Sequence, residues 1–262
     1  APNVIISGMA ARNKLRCCEL PCKQRERQTG TVSIKRWKLF NFALRSFSQT
    51  VDFSLKSKNA HLLFFAVAIL SLIAKIAIAS RGWNYDYESY KIVADIMRRG
   101  GNVYAETSRY NYGPGWFNIV YCLSVIAGSY FRYAFPIFLG LTDIGIAYIL
   151  WKKFHFRIAS LLFLLSPLVI QISGYHNQFD NVAIFLTLYA VTILPNSSVS
   201  PSWSSVFKSS LIIGIALAIK HVFIFFVFWF LFRSWEWKKK ILLCIIPLTI
   251  FSASFIPYLY PW

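Results

Sequence analysis

The sequence predicts an all-α polytopic membrane protein, with about seven or eight transmembrane helices and an extracytoplasmic first loop that carries an amphipathic helix. Composition is the first sign of it. Of 262 residues, 56% are hydrophobic and only 15% are charged, against roughly one quarter charged in soluble domains. The mean hydropathy is +0.50. Spacing is the second: several windows of about 17 to 21 residues hold one charge or none, and about 20 such residues cross a hydrocarbon core as a helix.

The placement of charge is the third. Residues 1–59 carry twelve Lys or Arg against Glu19, Glu26 and Asp52, half of the net +18. The remaining excess flanks apolar runs at Arg98 and Arg99, Lys152 to Arg157, Arg233, and Lys238 to Lys240. Basic residues at the ends of apolar segments are a topology signal. No nucleic-acid recognition module accompanies them, so membrane lipids are the expected partner and nucleic acid is not.

Taken in order, residues 1–59 read as a basic cytoplasmic segment, partly disordered, in which Trp37–Phe47 is a basic amphipathic stretch suited to a membrane face. Cys17, Cys18 and Cys22 form CCxxxC without a nearby His or second CxxC, which suits reduced or acylated thiols better than zinc. Cys122 and Cys244 read as packing residues.

Residues 60–262 form the transmembrane domain. Its first helix runs from Ala60 to Ser80, and the single charge, Lys75, lies near enough to one end to snorkel. The basic excess before it keeps the N-terminus cytoplasmic and puts residues 81–113 outside. There an amphipathic helix is expected from about Glu88 to Arg99, with Tyr90, Val93, Ala94 and Met97 on one face and Gly100-Gly101 ending it. Apolar segments follow at roughly 114–131, 133–151, 158–173, 179–195, 206–219, 221–232 and 241–257, with Pro195–Ser205 a loop. Simple alternation would put the Lys152 to Arg157 cluster outside, against the positive-inside tendency, so one apolar stretch is expected to be re-entrant or not to cross.

Three constellations carry candidate chemistry. In NYDYESY, residues 84–90, Asp86 and Glu88 stand just beyond the outer end of the first helix, and RYNYGPG, residues 109–115, brings Arg109 and Tyr112 to the entry of the next. A carboxylate there suits a general base for an acceptor hydroxyl; the plainer reading is a capping or solvated acidic pair. In SGYHNQFDN, residues 173–181, His176, Asn177, Gln178, Asp180 and Asn181 lie between two apolar segments, which suits recognition of a sugar or phosphate, or else a polar interhelical turn. Lys220-His221 falls in the apolar stretch Leu211–Phe232. A cation inside a bundle suits a phosphodiester headgroup, and one at a helix end is an interface anchor. No cofactor is required, and a divalent metal is not indicated.

The order of these features, a single helix, an outer loop opening on an acidic residue, a YNYGP entry to the next helix, then GYHNQFDN and a later KH, resembles the GT-C superfamily of multi-spanning glycosyltransferases. It is most similar to bacterial polyprenyl-phosphate-sugar-dependent mannosyltransferases, with a fainter likeness to dolichyl-phosphate-glucose glucosyltransferases through GYHNQFDN. The resemblance covers about residues 60–262. It implies an inverting hexosyltransferase that moves mannose or glucose from a polyprenyl-phosphate carrier to a glycan, lipid or protein acceptor on the extracytoplasmic or lumenal face, in a bacterial plasma membrane or the endoplasmic reticulum. It also implies Asp86 as the catalytic carboxylate with Glu88 as second candidate, His176, Gln178 and Asp180 in the donor and acceptor cavity, and Lys220 at the donor phosphate. Asp143, inside the apolar run Phe135–Trp151, matches a recurring acidic position. Members of the superfamily are longer, with additional C-terminal helices, so this chain is expected to be either a fragment or one that has lost its C-terminal half. A transporter or lipid flippase, which would also place polar residues at mid-membrane, and a non-catalytic subunit of a glycosylation complex are the competing functions.

Overall fold

The computed structural model describes residues 60–82, 84–195 and 199–259. The expectations for the basic segment 1–59 and its three cysteines lie outside these residues. The chain divides into Ala1–Leu62 and Leu63–Trp262, and of the first unit only the opening of one helix is described.

The elements are helical throughout the described residues. They run α1 (Ala60–Ala79), α2 (Tyr85–Arg98), α3 (Val103–Glu106), α4 (Pro114–Ala127), α5 (Phe131–Lys152), α6 (Arg157–Leu165) and α7 (Pro167–Gln171). A π-helical turn (Ile172–His176) leads into α8 (Asp180–Ile193), α9 (Trp203–Ile219), α10 (Ile224–Phe228) and α11 (Trp237–Ser254). Three apolar stretches are long enough to cross a membrane: Ala60–Ala79, Pro114–Lys152 and Trp237–Tyr258. A fourth results if α6 and the Pro167–His176 segment, bent by 48° at Ser166–Pro167, count as one span. Against the seven or eight expected crossings, the stretches 180–193, 203–219 and 221–232 are helical and apolar but shorter than about 20 residues.

The 39 residues from Pro114 to Lys152 are not one straight rod. The Trp116 ring lies 6.2 Å from Phe135 and 6.4 Å from Phe138, so the chain reverses between α4 and α5 at the turn Gly128–Tyr130. The two apolar segments expected at 114–131 and 133–151 are thus separate helices.

Lys75 does not snorkel. It is fully buried and pairs with Asp143 of α5 at 3.3 Å. A cation deep in an apolar helix is better satisfied by a buried carboxylate than by a distant interface when a facing helix supplies one. Cys244 is buried as expected, whereas Cys122, on α4, is exposed.

The amphipathic helix of the first loop is present but starts three residues earlier than expected. Asn84 caps it: its side chain accepts from the Tyr87 N–H at 3.1 Å, satisfying one of the free donors of the first turn. Asp86 and Glu88 therefore sit in the first turn of α2, where the helix dipole favours negative charge. Tyr90, Val93, Ala94 and Ile96 are its buried face, with Met97 only half-buried. These residues join Trp116, Phe117, Phe135, Phe179 and Ile219 in the main apolar cluster. At its centre the Trp116 and Phe179 rings stack, 4.1 Å apart and 8° from parallel.

Candidate functional site

Three chain segments meet at the start of α2. The first is α2 itself, whose cap residue Asn84 donates through Nδ2 to the His176 carbonyl at 3.0 Å. The second is the polar run 173–181. It leaves α7 as a π-helical turn, and Asn177 adopts φ 55°, ψ 33° before Asp180 opens α8. Asn is among the few residues that tolerate this left-handed conformation. The Tyr90 hydroxyl, buried beneath, donates to the Asn177 carbonyl at 3.1 Å and holds that corner. The third is the end of α9, where the helix stops at Ile219 and Lys220 turns to an extended conformation. Leu211–Phe232 is therefore broken at Lys220, and the cation projects from a helix end inside the protein.

Small residues bring the third segment close. Gly113 and Gly115 lie against Ala218, so that a Cβ at Gly113 would stand 2.0 Å from the Ala218 carbonyl oxygen. The GPG sequence thus does more than start α4 with a proline in its first turn. It lets Tyr112 approach Lys220, whose Nζ lies 4.3 Å from the centre of the Tyr112 ring and 4.6 Å from that of Phe179.

Gln178 Nε2 donates to Asp86 Oδ2 at 2.6 Å, and Lys220 Nζ pairs with Asp180 Oδ1 at 3.1 Å. Burial pushes the Asp86 carboxyl above its ordinary value, opposed by the Gln178 hydrogen bond and then by the nearby His176 and Lys220. Burial also raises the Tyr112 phenol, helped by the charges of Asp86 and Asp180, so it stays a hydrogen-bond donor. A cavity of about 220 Å³ opens beside Asp86, lined by Tyr85, Ser89, Tyr90, Arg109, Asn111 and Tyr112 among others. That is below the 300 to 1,000 Å³ or so of drug-sized sites, and its lining of hydroxyls, an amide and aromatic faces suits one small polar ring.

The two acidic candidates part company here. Glu88 is exposed and faces a different cavity, of about 420 Å³, with Lys91, Asp95 and Arg109. Its nearest cation is Arg109, at 3.9 Å. Arg109 lies between the two cavities, its guanidinium 3.9 Å over the Tyr85 ring.

Of the expected residues, Asp86, Tyr112, Gln178, Asp180 and Lys220 converge, with Arg109 at the rim and exposed His176 near enough to act on Asp86 electrostatically. His221 is exposed, one residue past the break, and stands apart. Asp143 is not at this site but in a buried network with Lys75, Ser173 and Asn181. Among the described residues no group of three His, Cys, Asp or Glu side chains is placed to hold a metal ion.

No family model, curated protein or solved structure matches this chain.

The contribution of Lys75 was readable in principle. Lys75 and Asp143 are opposite charges inside separate apolar segments, and such residues seek each other. The roles of Asn84 and Tyr90 rest on backbone carbonyls of a distant segment, for which a sequence carries no signal.

Proposed function

We propose that this chain is an integral membrane hexosyltransferase that moves one hexose from a polyprenyl-phosphate carrier to a hydroxyl of a glycan, lipid or protein acceptor. The observation that carries the reading is Asp86, held by Gln178 at the edge of a small tyrosine-lined polar cavity in one cluster with Lys220. In this reading the sugar ring occupies the cavity, with Tyr112 and Arg109 offering donors to its hydroxyls. Asp86 takes the proton of the acceptor hydroxyl as its oxygen attacks the anomeric carbon from the face opposite the phosphate. The bond from that carbon to the phosphate oxygen breaks, its electron pair leaves with the carrier phosphate, and the configuration inverts. Lys220, released from Asp180, neutralises the departing charge, which is what a phosphate leaving group needs.

The same reading puts the N-terminus in the cytoplasm, the site on the extracytoplasmic or lumenal face of a bacterial or endoplasmic-reticulum membrane, and the shorter apolar helices in a bundle of seven or eight crossings. The deciding experiment incubates the protein in lipid nanodiscs with polyprenyl-phosphate carrying labelled mannose or glucose and follows label into acceptor. Donor binding and transfer that both fail in Asp86→Asn/Lys220→Met, in protein that remains folded, support it. Absence of donor binding by the wild type overturns it.

A further inference from the structure

The polar run 173–181 faces two ways. Toward the site, Gln178 reaches Asp86 and Asp180 reaches Lys220. Away from it, its first and last residues both donate to one buried carboxylate. Ser173 Oγ bonds Asp143 Oδ2 at 2.6 Å, and Asn181 Nδ2 bonds Asp143 Oδ1 at 2.9 Å.

Asp143 is 1% exposed and its partner Lys75 is 0% exposed, with 3.3 Å between Lys75 Nζ and Oδ2. Lys75 also donates to Ser71 Oγ at 2.9 Å, and the Ser71 hydroxyl donates to the Leu164 carbonyl at 2.7 Å. Gly174 lies directly on the Lys75 backbone, where a Cβ would stand 2.9 Å from the Lys75 Cα. The run is thus pressed onto α1 at one end and bonded to α5 at both.

We propose that Lys75 and Asp143 are a positioning pair for the site: the carboxylate clamps Ser173 and Asn181 and so fixes where Gln178 meets Asp86 and where Asp180 meets Lys220. Stability alone gives little reason to bury such a pair, because its desolvation cost commonly matches or exceeds its attraction, and apolar residues of similar volume often serve as well. What an apolar residue cannot supply is two acceptor oxygens in fixed directions, and here both are used. Lys75 provides the countercharge that a buried carboxylate requires. Displacement of a catalytic group by about 1 Å costs on the order of a hundredfold in rate, which makes a rigid clamp behind the run worth its desolvation.

The inference does not depend on the hexosyltransferase reading, and its test needs no sugar donor. The carboxyl carbon of Asp86 is labelled and titrated in the whole protein in nanodiscs, with thermal unfolding followed in parallel. Burial raises that midpoint and Gln178, His176 and Lys220 oppose it, with Tyr90 and Tyr112 nearby, and all these side chains remain in every variant.

Asp143→Leu removes both acceptors. Loosening of Gln178 and Lys220 should raise the Asp86 midpoint, because burial then acts with less opposition. The double variant Lys75→Met/Asp143→Asn removes both charges but keeps the clamp, since the new amide can accept from Asn181 through its oxygen and donate through its NH2 to the Ser173 hydroxyl oxygen, and should leave the midpoint close to wild type. An unchanged midpoint in folded Asp143→Leu reduces the pair to packing and overturns the proposal. Should Asp143→Leu not fold, Ser173→Ala/Asn181→Leu cuts the same two bonds, together with the Asn181 bond to the Leu139 carbonyl, without touching the pair. The same upward shift is expected, and its absence is equally fatal. Failure here would leave the hexosyltransferase reading standing, and absence of transfer would leave the clamp standing.

Discussion

Gln178 donates a 2.6 Å hydrogen bond to Asp86 across 92 positions of sequence. It joins a turn between two apolar helices to the first turn of an amphipathic one. The bond engages Oδ2 and leaves Oδ1 as the oxygen to receive a proton. It also works against burial, stabilising the ionised form of a carboxyl that burial pushes toward the neutral form.

Gln178→Leu should therefore raise the Asp86 midpoint further, since burial then acts with less opposition. If Asp86 is the base, the acid limb of the pH–rate profile for sugar transfer moves to higher pH by the same amount. A limb that stays in place in this variant would separate Asp86 from the rate.

Asp86→Asn should lower turnover by about 10² to 10⁴ with donor binding retained, the usual effect of removing a positioned base. Glu88→Gln, in the neighbouring cavity, should change turnover only a few-fold. Stability should move oppositely. The folded midpoint of Asp86 is raised, so its stabilising contribution is complete below the unfolded-state value and is lost as pH rises through the folded one. Asp86→Asn should then melt higher than wild type at neutral pH, with the advantage fading in acid. Calorimetry at the two pH values checks the sign.

Much of this was legible in the sequence, and what was not has a physical cause. The helical class, the amphipathic loop helix and the three polar constellations follow from local composition and period. The convergence of Asp86, Gln178, Asp180 and Lys220 does not, because it depends on a left-handed Asn177 and a helix break at Lys220, which only tertiary packing selects. The distance of Lys75 from a helix end suggests snorkelling, whereas its position is decided by the Asp143 carboxylate on α5. Glu88 is the second candidate to Asp86 in the sequence, and on a helix their two-residue spacing sends them to different faces and different cavities.

Lys220→Met should weaken binding of polyprenyl phosphate by about tenfold or more, and Lys220→Arg by less, because the charge is kept though its shape differs. The methionine variant also leaves Asp180 without its cation, so adding Asp180→Asn should not recover affinity. Equal affinities for wild type and Lys220→Met would make Lys220 a structural partner of Asp180 only.

Lys75→Met strands Asp143 in the bundle and should cost about 3 to 5 kcal/mol, whereas Lys75→Met/Asp143→Asn, which removes the stranded charge but keeps partners for Ser173 and Asn181, should recover most of that loss. Unfolding of both variants in the same detergent measures the difference. A single variant as stable as wild type would mean that another group compensates Asp143.

The final prediction concerns Gly113. A methyl group there would stand 2.0 Å from the Ala218 carbonyl oxygen and 2.8 Å from its carbon, too close for any rotamer to relieve, so the start of α4 or the end of α9 must move. Tyr112 precedes Gly113 and Lys220 follows Ala218 by two residues, so either movement alters the 4.3 Å approach of the Lys220 ammonium to the Tyr112 ring. Gly113→Ala should therefore lower both turnover and donor affinity, by about tenfold or more, without touching any side chain of the site. Gly100→Ala is the control. Gly100 has φ 75° with nothing within 4 Å of the added Cβ, so that variant should lose about 1 to 2 kcal/mol to backbone strain alone and leave donor affinity unchanged. Parallel losses of affinity in the two variants would show that the effect is general destabilisation and that the close approach at Ala218 does not shape the site.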